Sequence, residues 1–357
     1  MQFTLFGYPK SGKTTLFNLL TGARIETLSY DTGEKEPHMR TSSIPDKRLD
    51  RLSALYPEKE KKQATIDFID LAGLAFGEVK DSAYLSHLRK ADGLIHVVRG
   101  FEDETIPHPK GKIDVSEDIC AMEDELVLAD GISATSRLEK LEKELARAKN
   151  PEGEKEKDIL TRIIAHMENG KPLRDLALSS PEEKLIRSFA FLSLKPLLHI
   201  INIGEGDISS IDKPEQFAST THHRTALMAF CGKIEAEIME LEEEEAKDFL
   251  KEYGLKELSA EKFLRTSYDL LELITFYTIG QKEVKAWPLL KNTSAVLAAG
   301  TIHSDMEKGF IKAEVISWKD LDQHGSLQAA KDSASVRLEG KEYIIQDGDV
   351  VYFRFAK

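Results

Sequence analysis

Cysteine is scarce in this chain: Cys120 and Cys231 are the two among 357 residues, which excludes a disulfide framework and fits a reducing compartment. Long apolar runs are missing too. The richest, FAFLSLKPLLHII at 189–201, is broken by Lys195 and Pro196 and falls short of the ~18 uninterrupted residues that read as a membrane span, so no integral membrane protein is expected. Strand-like alternation begins at Phe3 and a motif follows at once, so no cleavable signal peptide is expected. An excess of positive charge is also lacking. With 49 basic against 62 acidic side chains the formal charge is −13, which excludes general affinity for nucleic acid; any such contact needs a local basic surface. What remains is an ordinary composition, 41% hydrophobic and 31% charged, that excludes overall disorder. At roughly 150 residues per domain the length points to two or three domains of a cytoplasmic protein, expected to be a monomer.

Residues 2–20, QFTLFGYPKSGKTTLFNLL, read as an alternating apolar strand, a glycine-containing turn and a helix carrying Leu16, Phe17, Leu19 and Leu20. Inside them Gly7, Tyr8, Pro9, Lys10, Ser11, Gly12, Lys13 and Thr14 satisfy G-x-x-x-x-G-K-[ST] in its required strand-to-helix setting. The spacing serves a phosphate, because successive N–H groups must point into one concavity and glycines at 7 and 12 allow it. Lys13 then reaches the β- and γ-phosphate oxygens and Thr14 offers its hydroxyl to Mg²⁺. The helix that starts here, with Thr15 next, turns its positive dipole end to the same anion.

A phosphate-loop switch also needs a strand ending in an aspartate for the Mg²⁺ water shell, and a glycine whose N–H senses the γ-phosphate. TIDFIDLAG at 65–73 supplies both, with Asp70 at the strand end and Gly73 three residues on. Asp67 competes, but alternation sets it on the solvent side of the strand. GLIHVVRGF at 93–101 reads as a further strand after a helix, so β-α-β units repeat and the sheet is mostly parallel.

The strand PLLHIIN ends in NIGE, that is Asn202, Ile203, Gly204 and Glu205, where GTPases carry N-K-x-D. That aspartate accepts two hydrogen bonds from guanine. A glutamate is one methylene longer and compromises the fit, which favours adenine. FCGKIEAE at 230–237 sits where the last base-contacting loop belongs, with Gly232 permitting close backbone approach.

Taken in order, GYPKSGKTT, DLAGL, ADGLIHVVRGFEDE, LKPLLHIINIGE and CGKIEAEI resemble the YchF or Obg-like ATPase family. LITFYTIGQKEVKAWPL, AAGTIHSDMEKGFIKAEVISW and RLEGKEYIIQDGDVVYFRF resemble that family's terminal TGS-type domain. The resemblance spans nearly the whole chain. It implies an NTPase that prefers ATP and admits GTP, a C-terminal β-grasp module, and association with the ribosome or ribosomal RNA.

Residues 133–193 intervene before NIGE with helical periodicity. SRLEKLEKELARAK sets Leu138, Leu141 and Leu145 on one stripe, Asn150, Pro151 and Gly153 break it, and a second helix runs through Ile163, Ile164 and Met167. Two antiparallel helices with narrow seams predict a coiled-coil hairpin. Ser180, Pro181 and Glu183 read as a capping box, and the seven glutamates of 235–245 as a solvated helix face. The expected architecture is α/β. A phosphate-loop NTPase domain at 1–132 and 194–272 carries a helical hairpin inserted at 133–193, and 273–357 forms a small sheet domain, TGS-like β-grasp by the resemblance. In that tail Lys282, Lys285, Lys291, Lys308 and Lys312 are candidates for a face towards RNA.

Ras-like enzymes orient the attacking water with a glutamine beside the D-x-x-G glycine; here that position is Leu74, which cannot. His108 in TIPHPKGKID is therefore the catalytic candidate alongside Lys13 and Gly73. Imidazole can hydrogen-bond water near neutral pH, and the family has a histidine in the matching H-x-x-G stretch. The family's loop reads G-x-P-N-V-G-K-S, so Lys10 stands where an asparagine supports potassium in related NTPases, and its ammonium is expected to take the monovalent-cation position. The glycine-rich stretch after Gly73 is shortened to LAFGEVKDSAYLSHL. YDTGEKEPH at 30–38 represents the F-x-T-I-E-P-N segment, which leaves Thr32 and Thr41 as candidates for the Mg²⁺-sensing threonine. The rival readings are an Obg-type GTPase and a nucleotide-binding scaffold with little hydrolysis.

Overall fold

The computed structural model describes residues 1–25, 37–73, 82–148 and 150–356. In chain order the strands are β1 (Gln2–Phe6), β2 (His38–Ser43), β3 (Glu60–Lys62), β4 (Thr65–Asp70), β5 (Gly93–Gly100), β6 (Leu197–Ile203), β7 (Thr225–Phe230), β8 (Leu273–Ile279), β9 (Glu283–Leu290), β10 (Phe310–Ser317), β11 (Arg337–Glu339) and β12 (Asp349–Phe355). They form two six-stranded sheets. The chain divides into two compact units, Met1–Thr41 with Asp67–Leu270, and Ser42–Ile66 with Leu271–Lys357.

The first sheet runs β2-β4-β1-β5-β6-β7, with β4, β1, β5, β6 and β7 parallel. β6 is buried along its whole length and β5 nearly so, as central strands covered on both faces must be. Phe3 of β1, Phe68 of β4 and Phe263 of the helix Ser259–Leu270 pack ring to ring, while Phe6, Tyr8, Leu71, Leu88, Leu94, Met122 and Leu126 form a second cluster. The sequence reads as alternating over β1, but Phe3, Thr4, Leu5 and Phe6 are all buried, so the strand is covered on both faces where it hands over to the phosphate loop.

The hairpin is built of the helices Val115–Leu145 and Pro151–Glu168. The first of these starts some twenty residues before the stripe that reveals it, because no proline or cap interrupts the run and Gly131 has open space around it. Leu141 is buried in the seam with Ile159, Leu160, Ile163 and Met167. The capping box uses Ser179 and Glu182, one residue earlier than expected. Ser179 N and Oγ both donate to Glu182 Oε2 at 2.7 Å, ahead of the helix Ser180–Ile186.

The second sheet runs β11-β10-β12-β8-β9-β3, mixed in direction, with β12 parallel to β8 and β9 parallel to β3. Sequence reading put 42–66 with the nucleotide domain, whereas these residues pack in this unit. Leu49 and Leu52 of the helix Lys47–Ala54 are buried with Tyr277, Val284, Ile316 and Val350. Asp46 caps that helix through Arg48 N and accepts from Tyr277 Oη at 2.5 Å, and Arg48 reaches Asp347 at 2.6 Å. Two apolar residues in a short amphipathic helix fit any core, so the sequence carried no address for them. No helix among the described residues is long and apolar enough to cross a membrane.

Candidate nucleotide site

Two glycines shape the loop after β1. Gly7 has φ +139° and a Cβ there would lie 2.5 Å from Val97 O; Gly12 has φ +98° and a Cβ would lie 2.2 Å from Asn202 Nδ2. Neither position admits another residue without moving its neighbour. Lys10 adopts the left-handed conformation at φ +60° with its side chain exposed. Lys13 is buried, and its Nζ donates to Tyr8 O at 2.8 Å and Gly7 O at 3.3 Å, folded over the loop's own carbonyls.

Thr14 Oγ1 donates to Asp70 Oδ2 at 2.8 Å, which joins the start of the helix Lys13–Thr21 to the end of β4. Asp70 is buried and its Oδ1 has no hydrogen-bond partner among the described residues. Burial pushes its pKa up, against the hydrogen bond from Thr14 and the charge of Lys13. Gly73 lies against the loop, since a Cβ on it would come within 2.5 Å of Pro9 Cα. Asp67 faces elsewhere and accepts from Thr41 Oγ1 at 2.6 Å. Thr32 and Leu74 lie outside the described residues.

Asn202 is buried at the end of β6 and staples two loops. Its Nδ2 donates to Ser11 O at 3.2 Å and its Oδ1 accepts from Gly232 N at 3.0 Å. Gly232 opens the helix Gly232–Ile238, where a Cβ would press on Asn202 Oδ1 and on the methyl of Thr15. Ile203 is buried behind the loop, whereas Glu205 is exposed and ion-paired with Lys233.

His108 is brought to the loop, against Tyr8 at 6.2 Å between rings. Its Nε2 lies 3.0 Å from Asp118 Oδ2 and its Nδ1 accepts from Lys110 N at 3.3 Å. Arg99, whose pKa burial lowers, fixes the start of the same segment by donating to Phe101 O, Asp103 O and Ile106 O.

Behind the loop runs a buried polar chain that sequence reasoning missed. His96 Nδ1 is 3.1 Å from His199 Nδ1, His199 Nε2 is 3.2 Å from Glu123 Oε1, and Glu123 pairs with Arg174. Since Glu123 accepts from His199 Nε2–H, the shared proton of the Nδ1 pair belongs to His96. Burial, then the neighbouring His199, holds His96 well below the usual imidazole range. The signal was present: GLIHVV and PLLHII each carry a histidine at the fourth position, and these two pair in register across β5 and β6.

A family model described as "50S ribosome-binding GTPase" matches residues 2–130, and the model of the YchF-type GTPase C-terminal domain, described as "Protein of unknown function", matches 273–356. The ribosome-binding ATPase YchF of Bacillus subtilis is 37% identical across 98% of both chains. The chain belongs to the YchF or Obg-like ATPase family. Within that family, Obg-like ATPase 1 of Oryza sativa is 32% identical over 99% of this chain and 92% of its own. The solved YchF GTPase of Schizosaccharomyces pombe superposes with a TM-score of 0.82 at 28% identity, over 99% of this chain and 97% of that one. Membership accounts for the phosphate-loop fold and its C-terminal unit.

Proposed function

We propose that the chain is a switch ATPase of the translation machinery, which binds ATP with Mg²⁺, hydrolyses it slowly to ADP and phosphate, and associates with the ribosome in the cytoplasm. The 2.8 Å contact between Thr14 and Asp70 carries this reading, because it gathers a hydroxyl and a carboxylate beside a phosphate cradle. The unpartnered Asp70 Oδ1 fits a hydrated Mg²⁺, with Thr14 Oγ1 as direct ligand and Asp70 acting through water. When bound, the ion neutralises charge on the transferring phosphoryl group. Lys13 exchanges the carbonyls of Gly7 and Tyr8 for β- and γ-phosphate oxygens, and Gly73, packed on Pro9, offers its N–H to the γ-phosphate.

His108 serves as the water-orienting group once the loop moves away from Asp118, since its Nε2 now faces Asp118 Oδ2 at 3.0 Å and its Nδ1 accepts from Lys110 N. That release is a reason for slow turnover in the resting protein. Glu205 is held by Lys233, whereas reading guanine takes both carboxylate oxygens; this supports adenine over the Obg-type GTPase reading.

Equilibrium competition of fluorescent ATP and GTP analogues with Mg²⁺, for wild type and Lys13→Ala, tests the assignment. ATP preference lost in the variant is expected. Equal or GTP-favoured binding returns the chain to a general phosphate-loop NTPase, and a single-turnover rate no faster than solution hydrolysis makes it a scaffold.

A further inference from the structure

We propose that Tyr8 is a positioning residue for ATP hydrolysis: its hydroxyl takes the Asp118 carboxylate over from His108 when nucleotide fills the loop, and so keeps His108 turned towards the attacking water. Tyr8 is 3% exposed and packs its ring among Phe6, Leu71, Leu88, Met122 and Leu126. Its Oη is buried and has no hydrogen-bond partner among the described residues. Packing does not explain that oxygen, because phenylalanine fills the same space without burying an unbonded hydroxyl. Burial, then the charges of Asp118, Glu125 and Glu117 on the helix Val115–Leu145, push the phenol pKa up. The group is therefore an O–H donor at working pH, and Asp118 is the foremost charge acting on it.

The clasp it replaces is poorly made. Asp118 is buried, with Oδ2 3.0 Å from His108 Nε2 and Oδ1 3.2 Å from Lys110 Nζ. Yet neither carboxylate oxygen nor His108 Nε2 has a hydrogen bond among the described residues, so these contacts are close but misaligned. Withdrawing His108 strips one side of a buried carboxylate, which is costly unless a second donor steps in. Tyr8 is that donor. Its ring centre lies 6.2 Å from that of His108, edge to face, and 5.7 Å from the Lys110 ammonium, so both neighbours of Asp118 border the tyrosine. In the exchanged arrangement Lys110 keeps Oδ1 and Tyr8 donates to Oδ2.

The same residue senses the nucleotide. The carbonyl of Tyr8 accepts from Lys13 Nζ at 2.8 Å, the bond that Lys13 gives up for phosphate oxygens. Filling the loop thus loosens the residue whose hydroxyl Asp118 needs, and occupancy of the loop is joined to the freeing of His108.

The proposal deepens the reading of His108 given above and rests on it. The test is single-turnover ATP hydrolysis with Mg²⁺ by the full chain, for wild type, Tyr8→Phe, His108→Ala and the double variant, with equilibrium ATP binding and thermal unfolding measured in parallel. Tyr8→Phe should slow hydrolysis at least about fivefold with ATP affinity within about twofold, and should melt no lower than wild type. In the His108→Ala background the same change should alter the rate by less than about twofold, since the hydroxyl acts through the imidazole. If Tyr8→Phe hydrolyses like wild type while His108→Ala is slow, the proposal is overturned and the water-orienting reading stands. Equal losses in both backgrounds overturn it too, because the hydroxyl then acts elsewhere. A Tyr8→Phe that melts lower and loses ATP affinity in step makes the hydroxyl structural and ends the proposal. A His108→Ala that hydrolyses like wild type strikes the water-orienting reading and this proposal together.

Discussion

Asp130 lies in the helix Val115–Leu145, fully buried, and accepts hydrogen bonds from Leu192 N, Ser193 N and Ser193 Oγ at 2.7–2.9 Å. Burial outweighs those donors and pushes its pKa up to about 6. A carboxyl raised in the folded state stabilises it fully below the unfolded pKa and loses that contribution as pH rises through the folded value. The unfolding free energy of wild type minus that of Asp130→Asn should therefore fall by roughly 2 kcal/mol between pH 4 and pH 7, measured by urea unfolding. At Lys10, the left-handed backbone leaves the side chain exposed at the phosphate loop. ATP turnover is expected to be indifferent to added potassium in wild type and stimulated by it in Lys10→Asn, measured by phosphate release in sodium against potassium buffer; strong stimulation of wild type would rule out the tethered cation. At this scale the loop was legible because its motif encodes backbone conformation. Glu235 was not. It belongs to a run of glutamates yet is fully buried and accepts from Ser259 N and Oγ, a partner that tertiary folding alone supplies.

Among the elements, the hairpin joins by a narrow seam whose leucines and isoleucines repeat at helical spacing, which is why it was readable. Its beginning was not, because a 31-residue helix leaves no mark where it departs from the sheet. Arg137 adds a bidentate clasp to Glu156 across the two helices at 2.7 and 2.9 Å. Leu160→Ala empties a fully buried site in this cluster and should cost about 2–5 kcal/mol in chemical denaturation. No residue of the cluster belongs to the phosphate loop, so ATP affinity of the folded variant should match wild type. A parallel loss of affinity would mean that the hairpin core also supports the nucleotide site.

At the scale of the molecule the α/β class and a small C-terminal sheet followed from strand patterns, and the mixed direction and composition of the second unit did not. β3 pairs with β9 through Glu60, Lys61 and Lys62 opposite Glu283, Val284 and Lys285, a polar trio with no strand-like signal. A fragment of residues 273–357 should lack cooperative thermal unfolding, and adding 42–66 through a flexible linker should restore it, as followed by circular dichroism. Cooperative melting of the shorter fragment would show that the added strand and helix are dispensable.

The interleaving of 42–66 has a consequence for inheritance. The family model for the C-terminal part begins at residue 273, but a breakpoint there would leave a sheet without its edge strand and a core without Leu49 and Leu52. This half of the protein is thus not a module that recombination can move by cutting once. A lineage that exchanged it would have to exchange the stretch between the phosphate-loop helix and Asp70 as well, so the two halves are bound to descend together.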